Sequence, residues 1–150
     1  MKIYDVKLVF SLVHEDAAKA VNRPDLIVEY MQGAFDERPE QEQFWVILLN
    51  RKNYPKGRHL VTIGTATAAL AHPREVFRAA IVGSATAIVC VHNHPSGDPS
   101  PSAADIQLTR QLREAASAID IPLLDHIVIG DKTQDPLGRG YYSFREAGLV

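Results

Sequence analysis

Two histidines, a hydroxyl and a carboxylate fall close together in this chain, in the run His92-Asn93-His94-Pro95-Ser96-Gly97 followed by Pro101-Ser102-Ala103-Ala104-Asp105. Imidazole and carboxylate are donors that a zinc site takes. His92 and His94 stand two residues apart, and alternate side chains of an extended chain leave the same face, so both rings can address one ion. Asp105 follows a turn rich in Pro, Gly and Ser, which can bring its carboxylate back as a third ligand. Three protein ligands leave a position for water, and that open position separates a catalytic zinc from a structural one.

Each of these residues also has a simpler use. Ser102 and Asp105 form a Ser-x-x-Asp before an apolar helical run, which approximates a capping box. Capping by Ser102 does not prevent Asp105 from binding metal. Loops rich in Asn, Pro, Ser and Gly often carry an exposed histidine, but two in alternation at the end of a buried strand favour a metal. Asn93 and Asp98 read as turn-formers rather than ligands. Cys90 shares the alternation of His92 and His94, yet ligands at i, i+2 and i+4 span about 13 Å of strand, too far to meet one ion. Cys90 therefore reads as a small buried apolar residue.

His72, before Pro73, reads as a helix cap or a surface residue. Asp125-His126 can stand behind the ligands as hydrogen-bond partners, or can simply be a polar pair at a strand start. A metal hydrolase further needs a general base. Glu29, Glu37, Glu40, Glu42 and Glu75 are available. Glu42 stands directly before an apolar strand, whereas Glu75 has a ready explanation in the macrodipole of a helix start.

The elements that must position these groups follow from periodicity. Residues 3 to 13 alternate and carry β-branched side chains, which predicts a first strand at a sheet edge. A polar turn follows at His14 to Asp16. Pro24 to about Phe35 predicts a helix with Pro24 at its first position. Phe44 to Leu49 is uniformly apolar, as expected of a central strand covered on both faces. A turn over Asn50 to Gly57 leads to a strand over Leu60 to Ile63. Pro73 to about Val82 and Ser102 to about Ala118 predict two more helices, separated by a buried strand at Ala87 to Val91 that ends in the His pair. Ile121 to Leu124, His126 to Ile129 and Tyr141 to Phe144 supply the remaining strand segments. Strands alternating with helices imply an α/β fold, a mixed sheet covered on both sides.

The chain of 150 residues fits one ordinary domain. Apolar residues at 46% and charged residues at 23% exclude a disordered or fibrous class. A net charge of −2 argues against a broad nucleic-acid surface. No run is long enough to span a bilayer, and the N-terminus lacks the apolar core of a signal peptide. The single cysteine rules out a disulfide framework and points to a reducing cytoplasm.

Glu42-Gln43-Phe44-Trp45-Val46-Ile47-Leu48-Leu49, then His92-Asn93-His94-Pro95, then Ser102-Ala103-Ala104-Asp105 resembles the JAMM signature of MPN-domain metalloproteases. In that signature the Asp follows the second His by eleven positions, as Asp105 follows His94 here. The run from Glu42 through Phe144, with His72-Pro73-Arg74-Glu75 and Leu124-Asp125-His126, is similar to the RadC-type branch. The resemblance implies the MPN/JAB architecture, a relative of the cytidine-deaminase plan. It implies that His92, His94 and Asp105 bind one Zn²⁺ together with a water. Glu42 is then the base and later the acid that protonates a leaving amine, and Ser102 a donor to the oxyanion or to the water. The implied activity is hydrolysis of peptide or isopeptide-like amide bonds, with a polypeptide as substrate.

Residues 1 to 40 lack the Gly-x-Gly hairpin signal of the helix-hairpin-helix DNA binders that longer RadC-type proteins carry, which weakens any DNA-repair role. No substrate-clamping insertion of the deubiquitinating type is evident either. A non-catalytic MPN-type interaction module is the competing class, and the complete ligand set argues against it. A His-Asn-His nuclease would draw its residues from separated elements, and zinc deaminases require Pro-Cys-x-x-Cys. Specificity is expected in loops such as Asn53 to Arg58 and Lys132 to Arg139.

Overall fold

Alternation in the apolar strands builds two separate packing layers on one sheet. The computed structural model describes all residues except 14, 16–18 and 65–70. The polar turn expected over 14 to 16 lies outside the described residues, Glu15 excepted. The elements are α1 (Pro24–Tyr30), β1 (Glu42–Leu49), β2 (Pro55–Gly64), α2 (Pro73–Val82), β3 (Ala87–Asn93), α3 (Ala103–Ile119), β4 (Leu123–Ile129) and β5 (Tyr141–Ser143).

The strands lie in the order β2-β1-β3-β4-β5, and only β3 and β4 run parallel. That parallel pair is joined through α3, as a parallel connection requires. Val46, Leu48, Ile88 and Cys90 face one layer with Val76 and Phe77 of α2 and Leu108 and Leu112 of α3. Ile47, Leu49, Val89, Val91 and Ile127 face the other, with Ile27 of α1 and Met31 just after it. Helices thus cover both faces, and each fully buried Leu, Ile, Val or Phe contributes about 1.5–3 kcal/mol. Among the described residues no helix is long and apolar enough to cross a membrane.

Helix starts follow their local chemistry. His72 caps α2 by accepting the Arg74 N–H, with Pro73 in the first turn. Ser102 and Asp105 make a reciprocal capping box on α3. At its other end Asp120 takes the left-handed conformation, φ 57°, which closes the helix.

Three expectations need correction. Residues 3 to 13 form no strand, and Ile3, Val6 and Val9 stay exposed. Alternation prepares a pleated face but a strand exists only where a neighbour pairs with it, and here Leu8 and Phe10 lie against the body, near Gly83 and Gly57, without strand pairing. Helix α1 ends at Tyr30, short of Phe35, and continues as turns through the left-handed Gly33. β2 begins at Pro55 rather than Leu60, because antiparallel pairing with β1 recruits the polar stretch Lys56 to His59.

Candidate metal centre

Strand register assembles the site. Phe44 of β1 lies opposite His92 of β3, so Glu42 at the start of β1 stands beside the end of β3. The chain leaves β3 at Asn93 and the backbone N–H of His94 donates to the Ile129 carbonyl at 2.8 Å, which holds the second histidine against β4. Gly97, at φ 91°, turns the chain back toward α3. The first turn of α3 then presents Asp105.

Glu42, His92, His94 and Asp105 converge, with one donor atom of each lying within 4.8 Å of the others. His92 Nε2 and His94 Nε2 are 3.1 Å apart. Asp105 Oδ1 lies 3.3 Å from His92 Nε2, and Oδ2 lies 3.3 Å from His94 Nε2. Ligands about 2.0 Å from one ion at tetrahedral angles sit about 3.3 Å from each other, so these atoms have the spacing of a coordination shell. Glu42 Oε1 stands further off, 4.0 Å from His92 Nε2 and 3.8 Å from His94 Nε2. His92 and Asp105 form a closed floor, with side chains 0% and 1% exposed, while Glu42 and His94 border the mouth at 14% and 15%.

One acceptor of this floor, the buried Asp105 Oδ1, has no hydrogen-bond partner among the described residues. Oδ2, in contrast, accepts the Ser102 N–H at 2.7 Å. The Nδ1 of His94 lies 2.8 Å from the Asp98 carbonyl. A carbonyl only accepts, so Nδ1 carries the proton and, in the neutral ring, Nε2 presents a lone pair to the centre. A buried carboxylate oxygen and imidazole lone pairs aimed at one point fit a metal ion.

Electrostatics agree. Burial would raise the Asp105 carboxyl, but His92 and His94 beside it hold it well below the usual carboxylate range. Burial pushes His92 down, against the opposing pull of Asp105. For His94 burial also acts downward, yet Asp105, the Asp98 carbonyl and Glu42 together leave it raised. Burial raises Glu42, partly offset by His94. A proton can therefore take the place of the ion on His94.

Residues 21–149 match the RadC-like JAB domain. The chain belongs to that family. It is 52% identical over 120 residues to a UPF0758 protein of Chlorobium phaeovibrioides, covering 80% of this chain and 50% of the relative. A UPF0758 protein of Pelodictyon phaeoclathratiforme is 50% identical over 124 residues, 83% of this chain and 52% of that one. A third, from Symbiobacterium thermophilum, is 52% identical over 109 residues, 73% and 44% of the two chains. The chain spans about half the length of the curated relatives it matches.

In this RadC-like JAB domain several expected candidates lie elsewhere. Glu29 pairs with Lys19, and Glu75 occupies the first turn of α2. Cys90 is fully buried in the layer against α2 and α3, where burial pushes its thiol up. Asn53 to Arg58 runs into β2 instead of forming a loop and pairs with Ile47 to Leu49, about 17 Å or more along β1 from Glu42, so it does not line the site. Loop Lys132 to Arg139 follows β4 at the near end, where Gln134 packs against Gly97.

Sequence reasoning missed two residues and half-read a third. Asn93 is no turn-former: it is the last residue of β3 and its amide bonds to the backbone of Gln41 and Gln43, on either side of Glu42. Thr109, one turn after Asp105, looked like an ordinary helix residue, but its hydroxyl lies 2.7 Å from His126 Nδ1. His126 in turn places Nε2 2.8 Å from His92 Nδ1. Of the Asp125-His126 pair only the histidine reaches the candidate ligands, since Asp125 accepts from Ser143 Oγ and the Arg145 N–H instead. Strand alternation carried that signal: neighbours on β4 face opposite sides.

Proposed function

We propose that this domain is a zinc-dependent hydrolase of peptide or isopeptide-like amide bonds, with His92, His94 and Asp105 holding one zinc ion. The observation that carries the reading is the set of donor atoms at coordination spacing with a second carboxylate, Glu42, held just outside it. Two imidazoles, one carboxylate and an accessible mouth suit zinc in a catalytic rather than a structural setting. When bound, the ion supplies Lewis acidity and makes water a competent nucleophile near neutral pH.

Glu42 sits where it can take a proton from a water at the mouth and return it to the leaving amine. Its raised affinity for a proton brings it nearer to neutral pH, where a group that must accept and then donate works best. Asp105 is pinned by the Ser102 N–H, so a ligand carboxylate does not swing away. Ser102 Oγ accepts the Asp105 N–H at 3.1 Å, which leaves its own hydroxyl proton to donate. Such a donor stabilises negative charge developing on a substrate oxygen.

Zinc content and a peptide-library cleavage profile test the reading, with Glu42→Gln as the control. The expected result is one zinc per chain, cleavage by the native protein, and zinc retained without cleavage in Glu42→Gln. Native protein that takes up no zinc would sink the chemistry. Zinc uptake without cleavage of any peptide or isopeptide library would favour a non-catalytic interaction module.

A further inference from the structure

We propose that Thr109 and His126 are positioning residues that set the tautomer of His92, and through it the affinity of the site for its ion. The proposal deepens the zinc reading and rests on it for its second half. Its first half rests on hydrogen-bond direction alone.

The direction can be worked out from the end that admits one answer. Thr109 Oγ1 lies 2.7 Å from the Asp105 carbonyl oxygen. Two oxygens that close need a proton between them, and only the hydroxyl has one, so Thr109 donates to Asp105. Its single proton is then spent. Toward His126, 2.7 Å away, Thr109 can only accept, which puts the proton of that ring on Nδ1. Neutral His126 then has a lone pair on Nε2, and His92 Nδ1 at 2.8 Å must be the donor. With its proton on Nδ1, His92 presents a bare Nε2 to the centre, 3.1 Å from the Nε2 of His94, which is bare when that ring is neutral.

Among the described residues the surroundings offer no substitute partner. His92 and His126 are 0% exposed and Thr109 is 1% exposed, so water does not reach the relay. Phe44 stacks on His92 with ring centroids 5.9 Å apart, and Phe144 stacks on His126 at 4.8 Å. These flat contacts hold both ring planes. The relay begins at the backbone carbonyl of Asp105, itself a candidate ligand, so one helical turn orients a carboxylate on one side and a histidine tautomer on the other.

Removing the Thr109 hydroxyl takes away the acceptor for His126 Nδ1–H. His126 is then free to carry its proton on Nε2, which forces His92 to turn its own proton toward the ion. The test is nitrogen NMR of the labelled, metal-free full chain above the histidine titration range, combined with zinc titration against a chromophoric chelator. Native protein should show His92 and His126 both protonated on Nδ1. Thr109→Val should lose that pattern and bind zinc about 10–100-fold more weakly, while Thr109→Ser restores both, a rescue that loss of packing alone would not give. A native spectrum with His92 protonated on Nε2 overturns the relay without recourse to any variant. Folded Thr109→Val with native tautomers and native zinc affinity overturns it equally. If native protein takes up no zinc, the hydrolase reading falls, while the native and Thr109→Val spectra still decide the relay.

Discussion

The side-chain amide of Asn93 straddles Glu42 on the neighbouring strand, accepting the Gln43 N–H at 2.7 Å and donating to the Gln41 carbonyl at 3.0 Å. Asn93 lies between the two histidines, so the strand end that presents these candidate ligands also holds the backbone that carries the carboxylate. Asn93→Ala leaves a buried N–H and a carbonyl without partners, at a cost of about 1–3 kcal/mol. It should lower turnover about a hundredfold, since a displacement of about 1 Å in a reacting group has that effect, while zinc affinity changes little. Denaturant melts, zinc titration and cleavage rates on one variant separate these outcomes. Native turnover in Asn93→Ala would show that Glu42 keeps its place unaided.

Asp105→Asn keeps an oxygen for the Ser102 N–H but removes the charge that faces both histidines. Zinc at a hundred times its dissociation constant should stabilise the native protein by about 2.7 kcal/mol. In Asp105→Asn that stabilisation should disappear at the same zinc concentration. Thermal melts with and without zinc provide the comparison, and an equal zinc shift in both proteins would remove Asp105 from the ligand set.

Zinc binding should release a proton from His94. His92 is held below its ordinary value and Asp105 well below the usual carboxylate range, so His94, which is raised, is the candidate ligand that holds a proton most readily. Because the proton and the ion compete for Nε2, affinity rises with pH up to the His94 value and levels off above it. Below that value the slope should be about one decade per pH unit, with about one proton released per ion. Calorimetry in buffers of different ionisation enthalpy measures the release, and zero protons at mildly acid pH would contradict the assignment.

Gly130 closes β4 where the His94 loop docks. A Cβ there would run into the Gly97 backbone, whose carbonyl accepts the Asp131 N–H at 2.6 Å, and would come 2.9 Å from Pro99 Cδ. Gly130→Ala should cost about 1–3 kcal/mol, as overpacking does. It should also weaken zinc binding by shifting His94 away from His92. Stability with unchanged zinc affinity would show that the loop relaxes without moving the ligand.

Much of the layout is legible in the sequence. Uniformly apolar runs mark β1 and β3 because both of their faces are covered, period-3.6 patterns mark α2 and α3 because each buries one face, and the eleven-residue step from His94 to Asp105 spans one turn and a helix start. The N-terminal residues 3 to 13 misled for the opposite reason, since their alternation has no neighbouring strand to pair with.

By itself the sequence determined the donor types, their local spacing and the elements that carry them, because those depend on contacts a few residues apart. Local spacing left several carboxylates open and the resemblance pointed to Glu42; the tertiary structure supplied the physical reason, since the β1–β3 register places Glu42 beside the histidines and leaves Glu29 and Glu75 elsewhere. It likewise decided the partners behind the ligands, since the contacts of Asn93 with β1 and of His126 with His92 join residues far apart in the chain. Hydrogen-bond direction passes from Thr109 to His92 through space, and no pattern along a chain encodes that.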